Sequence, residues 1–174
     1  LLEELKFCES GKKGYRTYEE VCYSILKSLF AEDLSIWRKQ SKSNHDLYRF
    51  DLLCRVKEDN QKTFWSIIEN YFKSKYIVFE FKNYSTLVTQ KDIYTTERYL
   101  YTKALRSVGI IITTKGYHEN AQWAAKGCLR ENGKLILLLT NKDLEEMVNK
   151  KNKDESPADY LLNKLDDILL ELEK

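Results

Sequence analysis

Three short apolar runs constrain this chain more than any other feature: YIVF at 76–79, VGIII at 108–112 and LILLL at 135–139. Each is too short for a helix and is rich in Ile, Val or Leu without polar alternation, as strands buried on both faces require. Such strands need helices on both sides of their sheet. The intervening segments supply them. TYEEVCYSILKSLF carries a helical stripe of Tyr18, Val21, Cys22, Ile25, Leu26, Leu29 and Phe30, with Thr17 read as N-cap and Glu20 completing a capping box. Residues 63–75 space Phe64, Ile67, Ile68, Tyr71 and Phe72 likewise, and 88–107 read as one long helix with Ile93, Tyr94, Leu100 and Leu105 inward.

Residues 34–43 and 47–56 read as strands joined by a turn at 44–46. Residues 117–132 form a helix closed by Gly133. Residues 141–151 form another, capped by Thr140 or Asn141, and a last helix follows Pro157. The expected order is α-β-β-α-β-α-β-α-β-α-α, an α/β fold with a mixed sheet flanked by helices on both faces.

The length of 174 residues suits one domain with a proper core, and 43% hydrophobic residues exclude a disordered chain. The chain begins at Leu1 and not at Met, so a domain of a longer protein is expected. Residues 1–14, with their Gly-Lys stretch, read as a linker or the end of a preceding element, and 15–174 as the domain. A net charge of +2 gives no bulk argument for nucleic acid, so any electrostatic footprint is local. No apolar run is long enough to span a membrane. Cys8, Cys22, Cys54 and Cys128 are scattered without a C-x-x-C pair, which points away from zinc and toward a reducing cytoplasm.

The 76–82 strand ends oddly. Glu80 and Lys82 share one face by period-two alternation, at the tip of an otherwise apolar strand. A buried charge is costly unless it is paired or bound to a metal. Asp51, in YRFDLLCRV, is expected inside the preceding strand and reaches the same tip if the two strands pair. Two carboxylates and a lysine suit Mg²⁺ (or Mn²⁺), which takes one or two carboxylates and completes its shell with water and phosphate oxygens. The lysine can then orient or deprotonate an attacking water.

This D…ExK arrangement resembles the signature of the PD-(D/E)XK nuclease superfamily, the restriction-endonuclease-like fold. GYRTYEEVCYSIL resembles the first helix of Mrr-type restriction endonucleases and archaeal Holliday-junction resolvases, with Tyr18-Glu19 as the aromatic-Glu pair. GIIITTKGYHENAQWAA resembles the later strand and Ala-rich helix of the Mrr-type family. The resemblance covers roughly residues 14 to 148. It implies Asp51 and Glu80 as metal ligands and Lys82 as catalytic lysine. Glu19 would support the metal or its water, and Gln90 would hold Lys82 or a phosphate. It further implies DNA hydrolysis to 5′-phosphate and 3′-hydroxyl ends, within the effector of a prokaryotic antiphage defence or restriction protein whose other domains are partners.

Phe50 departs from the family's proline, and the 29 residues from Asp51 to Glu80 exceed what a hairpin needs. Plainer readings stand beside these. Glu-x-Lys is frequent on exposed strands. Glu19 can serve the helix dipole, with Glu20 as its competitor for the supporting role. His45 and His118 read as turn or surface residues, and Asp46 as a turn residue. Trp37, Trp65 and Trp123 are expected in the core. Lys39, Lys42, Arg49, Arg55 and Lys115 offer a basic rim or a solvated surface. No Gly-rich phosphate loop occurs. The alternatives to a nuclease are a catalytically inactive nuclease-like fold that binds nucleic acid, and an oligomerisation module. The latter would use helix 63–75 and the stripe Leu161, Leu162, Leu165, Ile168, Leu169 and Leu172, giving a homo-oligomer.

Overall fold

The computed structural model describes residues 1–39 and 50–172. The turn at 44–46 with His45 and Asp46, and the rim residues Lys42 and Arg49, lie outside the described residues. Helices α1 (Leu2–Phe7) and α2 (Tyr15–Phe30) precede strands β1 (Leu34–Lys39) and β2 (Leu52–Val56). Then come α3 (Thr63–Asn70), β3 (Tyr76–Lys82), α4 (Gln90–Glu97), β4 (Val108–Thr113), α5 (Glu119–Asn132), β5 (Leu135–Thr140), α6 (Asn141–Asn152) and α7 (Pro157–Leu170). The strands form one mixed sheet in the order β1-β2-β3-β4-β5. β1, β2 and β3 run antiparallel, and β3, β4 and β5 are parallel. The expected mixed sheet with helices on both faces is what the chain forms.

Alternation sorts the sheet into two cores. Leu52, Cys54, Ile77, Phe79, Ile110, Ile112, Leu135 and Leu137 join the core built with residues of α1, α2, α3, α6 and α7. Val78, Ile111 and Ile136 face the other way, against Ile93 of α4 and Ala121, Ala124 and Cys128 of α5. β3 buries Ile77, Val78, Phe79 and Phe81, each contributing about 1.5–3 kcal/mol. That total lets the same strand carry a buried carboxylate at its tip.

Several expectations need correction. α2 starts at Tyr15, so Thr17 lies inside it and is not its cap; Gly14 is, where an added Cβ would sit 1.7 Å from the Glu9 carbonyl oxygen. The helix expected over 88–107 stops at Glu97. Beyond it Tyr101 bridges Arg106, and Leu105, at φ 57°, turns its carbonyl toward the amides of Lys75 and Tyr76. Of the aromatic residues expected inward, Trp65 is fully buried and Trp37 packs partly against the core. Trp123 is 62% exposed on α5.

In the stretch 1–14, expected as a linker or the end of a preceding element, Leu5 lies in the main core. Of the α7 stripe, Leu161 and Leu165 are buried and Leu162 and Ile168 pack against the same core with α3 as neighbour, while Leu169 is 43% exposed. The four cysteines are free thiols, three of them buried. Among the described residues no helix is long and apolar enough to cross a membrane.

Candidate active site

β2 and β3 pair so that Leu52 faces Phe79 and Leu53 faces Val78. Continuing that register by one residue sets Asp51 opposite Glu80. Asp51 is not inside the strand as expected; it stands one residue before β2. Its side chain, rather than its backbone, completes the ladder: Oδ2 accepts the Phe81 N–H at 2.7 Å. The long connection that carries α3 thus returns β3 beside β2, and the 29-residue separation does not prevent pairing.

Glu80 is only 2% exposed. Its Oε2 lies 3.4 Å from the Lys82 Nζ, while its buried Oε1 has no hydrogen-bond partner. Asp51 is within hydrogen-bonding reach of Glu80 on one side and of Glu19 on the other. Ionised carboxylates have no proton to donate, so facing carboxylates need a proton or a cation between them. Burial first, and then the Asp51 charge, push the Glu80 carboxyl up to about 8, with Lys82 opposing. Burial also raises Glu19; the hydrogen bond it receives from Tyr15 opposes this, and Asp51 adds to it. For Lys82, burial disfavours the charge, but the Glu80 carboxylate outweighs it and holds the ammonium above lysine's ordinary value.

Glu19 and Glu20 have different partners in the fold. Glu20 is exposed and pairs with Lys39 at 2.8 Å, while Glu19 turns to Asp51. Tyr18 explains the aromatic beside it. The ring is fully buried and its hydroxyl donates to Asn141 Oδ1 at 2.7 Å, which ties α2 to α6.

Gln90 goes elsewhere. It opens α4, its N–H donates to Asn120 Oδ1 at 3.1 Å, and it lines the cleft between α4 and α5 with Tyr94 and Trp123. Besides Glu80, the group beside Lys82 is Tyr84, which Asp92 holds. The Lys82 Nζ lies 5.8 Å from the Tyr84 ring centre, and the Tyr84 hydroxyl donates to Asp92 Oδ1 at 2.8 Å. Asp92 Oδ2 in turn accepts the Thr89 N–H at 3.0 Å, starting α4. Sequence reasoning missed Tyr15, Tyr84 and Asp92. The Thr-x-x-Asp pattern at 89–92 is a capping-box signal that could have found Asp92. His118, read as a turn or surface residue, is exposed and caps α5: its Nδ1 accepts the Asn120 N–H.

The donor set is compatible with Mg²⁺ without being a finished cage. Among the described residues no group of three or more His, Cys, Asp or Glu side chains is set to hold a metal ion as it stands. Asp51 and Glu80 form a facing pair, and Glu19 joins only through Asp51. Mg²⁺ usually takes one or two carboxylates and fills its other positions with water and substrate oxygens, so the facing pair and the unpartnered Glu80 Oε1 fit such an ion. Compared with protein-family models, curated proteins and solved structures, the chain has no match in any of the three.

Proposed function

We propose that this chain is a Mg²⁺-dependent nuclease domain of the PD-(D/E)XK type that hydrolyses DNA phosphodiester bonds, serving as the effector of a prokaryotic defence or restriction protein. The observation that carries the reading is Glu80. A carboxylate buried at a strand tip, opposite Asp51 and beside Lys82, with one oxygen unpartnered, is a poor way to stabilise a fold and a good way to prepare a cation site. In this reading Asp51 and Glu80 hold the ion. When bound, it lowers the pKa of a coordinated water and neutralises charge on the phosphate.

The protein's own groups have separable tasks. Asp51 is fixed by the Phe81 amide, so its direction does not depend on the metal. Glu19 supports Asp51, and Tyr15 donates a hydrogen bond that holds Glu19 in place. Lys82 remains a charged ammonium beside Glu80, which suits it to orient water and stabilise developing negative charge rather than to act as a free base. Tyr84, held by Asp92, borders its ammonium.

The test is digestion of supercoiled plasmid with Mg²⁺ or Mn²⁺, with and without EDTA. Nicking or linearisation that needs the metal and disappears in Glu80→Ala supports the reading. Metal-independent cleavage, or none under any metal, overturns it and leaves a nuclease-like binding fold.

A further inference from the structure

The GKKGYR segment at 11–16 is not absorbed by the catalytic reading, yet it is built with care. Lys12, Lys13 and Arg16 are exposed, as is Lys115 in the loop after β4, and among the described residues none of the four forms an ion pair. Unpaired surface lysines are ordinary. Their mounting here is not. Asn83 follows Lys82 directly and is 4% exposed. Its Nδ2 donates to the Glu9 carbonyl at 2.8 Å and to the Gly11 carbonyl at 3.4 Å, and its own carbonyl accepts the Gly11 N–H at 2.8 Å. Its Oδ1 accepts the Thr114 hydroxyl at 2.7 Å. One buried amide therefore ties the loop carrying Lys12 and Lys13, and the loop carrying Lys115, to the tip that bears Lys82.

The backbone repeats the point. Gly11 sits at φ 86°, and Gly14 leaves no room for a Cβ against the Glu9 carbonyl. A connecting segment needs no such definition. The next residue, Tyr15, senses the charges of Asp51, Glu19 and Glu80, so the segment ends at the carboxylates. A cluster of acids repels a polyanion, and a strand that must reach it needs compensating charge close by.

We infer that Lys12, Lys13 and Arg16, with Lys115 across the tip, form a docking track for the sugar-phosphate backbone of the nucleic acid whose scissile phosphate reaches Glu80 and Lys82. This rests on the nuclease reading and adds to it where the backbone runs. The track holds phosphates and no base edges, so it contributes affinity without sequence preference.

The test is fluorescence anisotropy with a short labelled DNA duplex across a NaCl series, with Ca²⁺ in place of Mg²⁺. The variant is Lys12→Gln/Lys13→Gln/Arg16→Gln. The control, Lys150→Gln/Lys151→Gln/Lys153→Gln, removes equal charge at the far end of α6. Each phosphate contact adds about 0.9 to the slope of log affinity against log salt, so the first variant should lose roughly 2–3 from the slope and the control less than about 0.5. The Lys12→Gln/Lys13→Gln/Arg16→Gln variant should melt like the parent; the control gives up the Lys150–Glu155 pair and the Lys151 contact to the Ser28 carbonyl, so only its salt slope is compared. Equal slopes for the two triples overturn the track, as does a parent that prefers anionic lipid vesicles to DNA. A parent that cuts plasmid with Mg²⁺ while its Lys12/Lys13/Arg16 variant keeps the full slope overturns the track alone. A parent that neither binds nor cuts overturns the nuclease reading with it.

Discussion

Asp51 accepts the Phe81 N–H at 2.7 Å, one residue beyond the last backbone pair of β2 and β3. The same side chain closes the end of the ladder and faces Glu80. The two tasks need different chemistry: the first needs an acceptor oxygen of any kind, the second needs charge.

Asp51→Asn separates them. The amide oxygen still accepts from Phe81, and one charge leaves a crowded acidic cluster, so the variant should unfold in urea at or above the parent's midpoint while metal-dependent cleavage is lost. Asp51→Ala leaves the Phe81 amide without its partner and should cost about 1–3 kcal/mol as well. An Asn variant that cuts at the parent's rate removes Asp51 from the site.

Glu80 gives a pH signature in the metal-free protein. Its carboxyl is pushed up to about 8 in the fold, by burial and by Asp51, from an ordinary value of 4.5. Between those values the folded protein holds a proton that the unfolded chain has released. Stability is therefore fully present below the unfolded value and falls as pH rises toward about 8. Glu80→Gln stays neutral throughout, so its stability should fall less over that window and exceed the parent's at the upper end. Glu19, raised in the same direction, keeps some slope in the variant. Urea midpoints measured across the window decide it: parallel curves for parent and variant mean that Glu80 is ionised in the fold.

The fold was legible where physics is local. The runs at 76–79, 108–112 and 135–139 could be nothing but buried strands, and the α2 stripe from Tyr18 to Phe30 is fully buried as read. Glu80 and Lys82 stood out because charge on such a strand is expensive. What failed depended on contacts distant in sequence. Thr17 looked like a cap because nothing in the local pattern shows that position 14 packs against the Glu9 carbonyl and that the helix starts just after it. The 88–107 stretch kept its apolar spacing past Glu97, although the backbone there is drawn off to Lys75 and Tyr76. Glu19 and Glu20 were indistinguishable until Lys39 took Glu20. Gln90 lay in the right sequence neighbourhood, but the first turn of α4 presents Asp92, and not Gln90, to the Tyr84 hydroxyl beside Lys82.

Gly14→Ala tests whether the amino-terminal segment belongs to the domain. The added Cβ would fall 1.7 Å from the Glu9 carbonyl oxygen, which is backbone and cannot rotate aside. The loop must shift, at a cost of about 1–3 kcal/mol, as other overpacked sites show. A lowered melting temperature is expected, with weaker DNA binding because Lys12 and Lys13 move with the loop. An unchanged melting temperature would mean that residues 1–14 do not pack as described.

Lys82 distinguishes a nuclease from a fold that only binds nucleic acid, since either could place a lysine near phosphate. Its Nζ is 3.4 Å from Glu80 and its side chain is 17% exposed, so it is held at the tip rather than waving from it. If it orients water and stabilises charge in the transition state, Lys82→Ala should slow cleavage by roughly 10²-fold or more. DNA affinity should fall little, because one phosphate contact among several is a small share of the electrostatic total. Lys82→Arg keeps the charge but not the shape: a planar guanidinium is larger than the ammonium it replaces and does not reproduce its point charge beside Glu80. Cleavage should therefore stay low in the Arg variant while binding matches the parent. The Ala variant carries a second readout. With the ammonium gone, its opposition to burial and Asp51 is lost, so Glu80 should take up its proton at higher pH still, and the stability curve should keep falling past the parent's window. Cleavage rate and affinity, measured side by side, decide the role. Equal proportional losses in both would make Lys82 a binding residue.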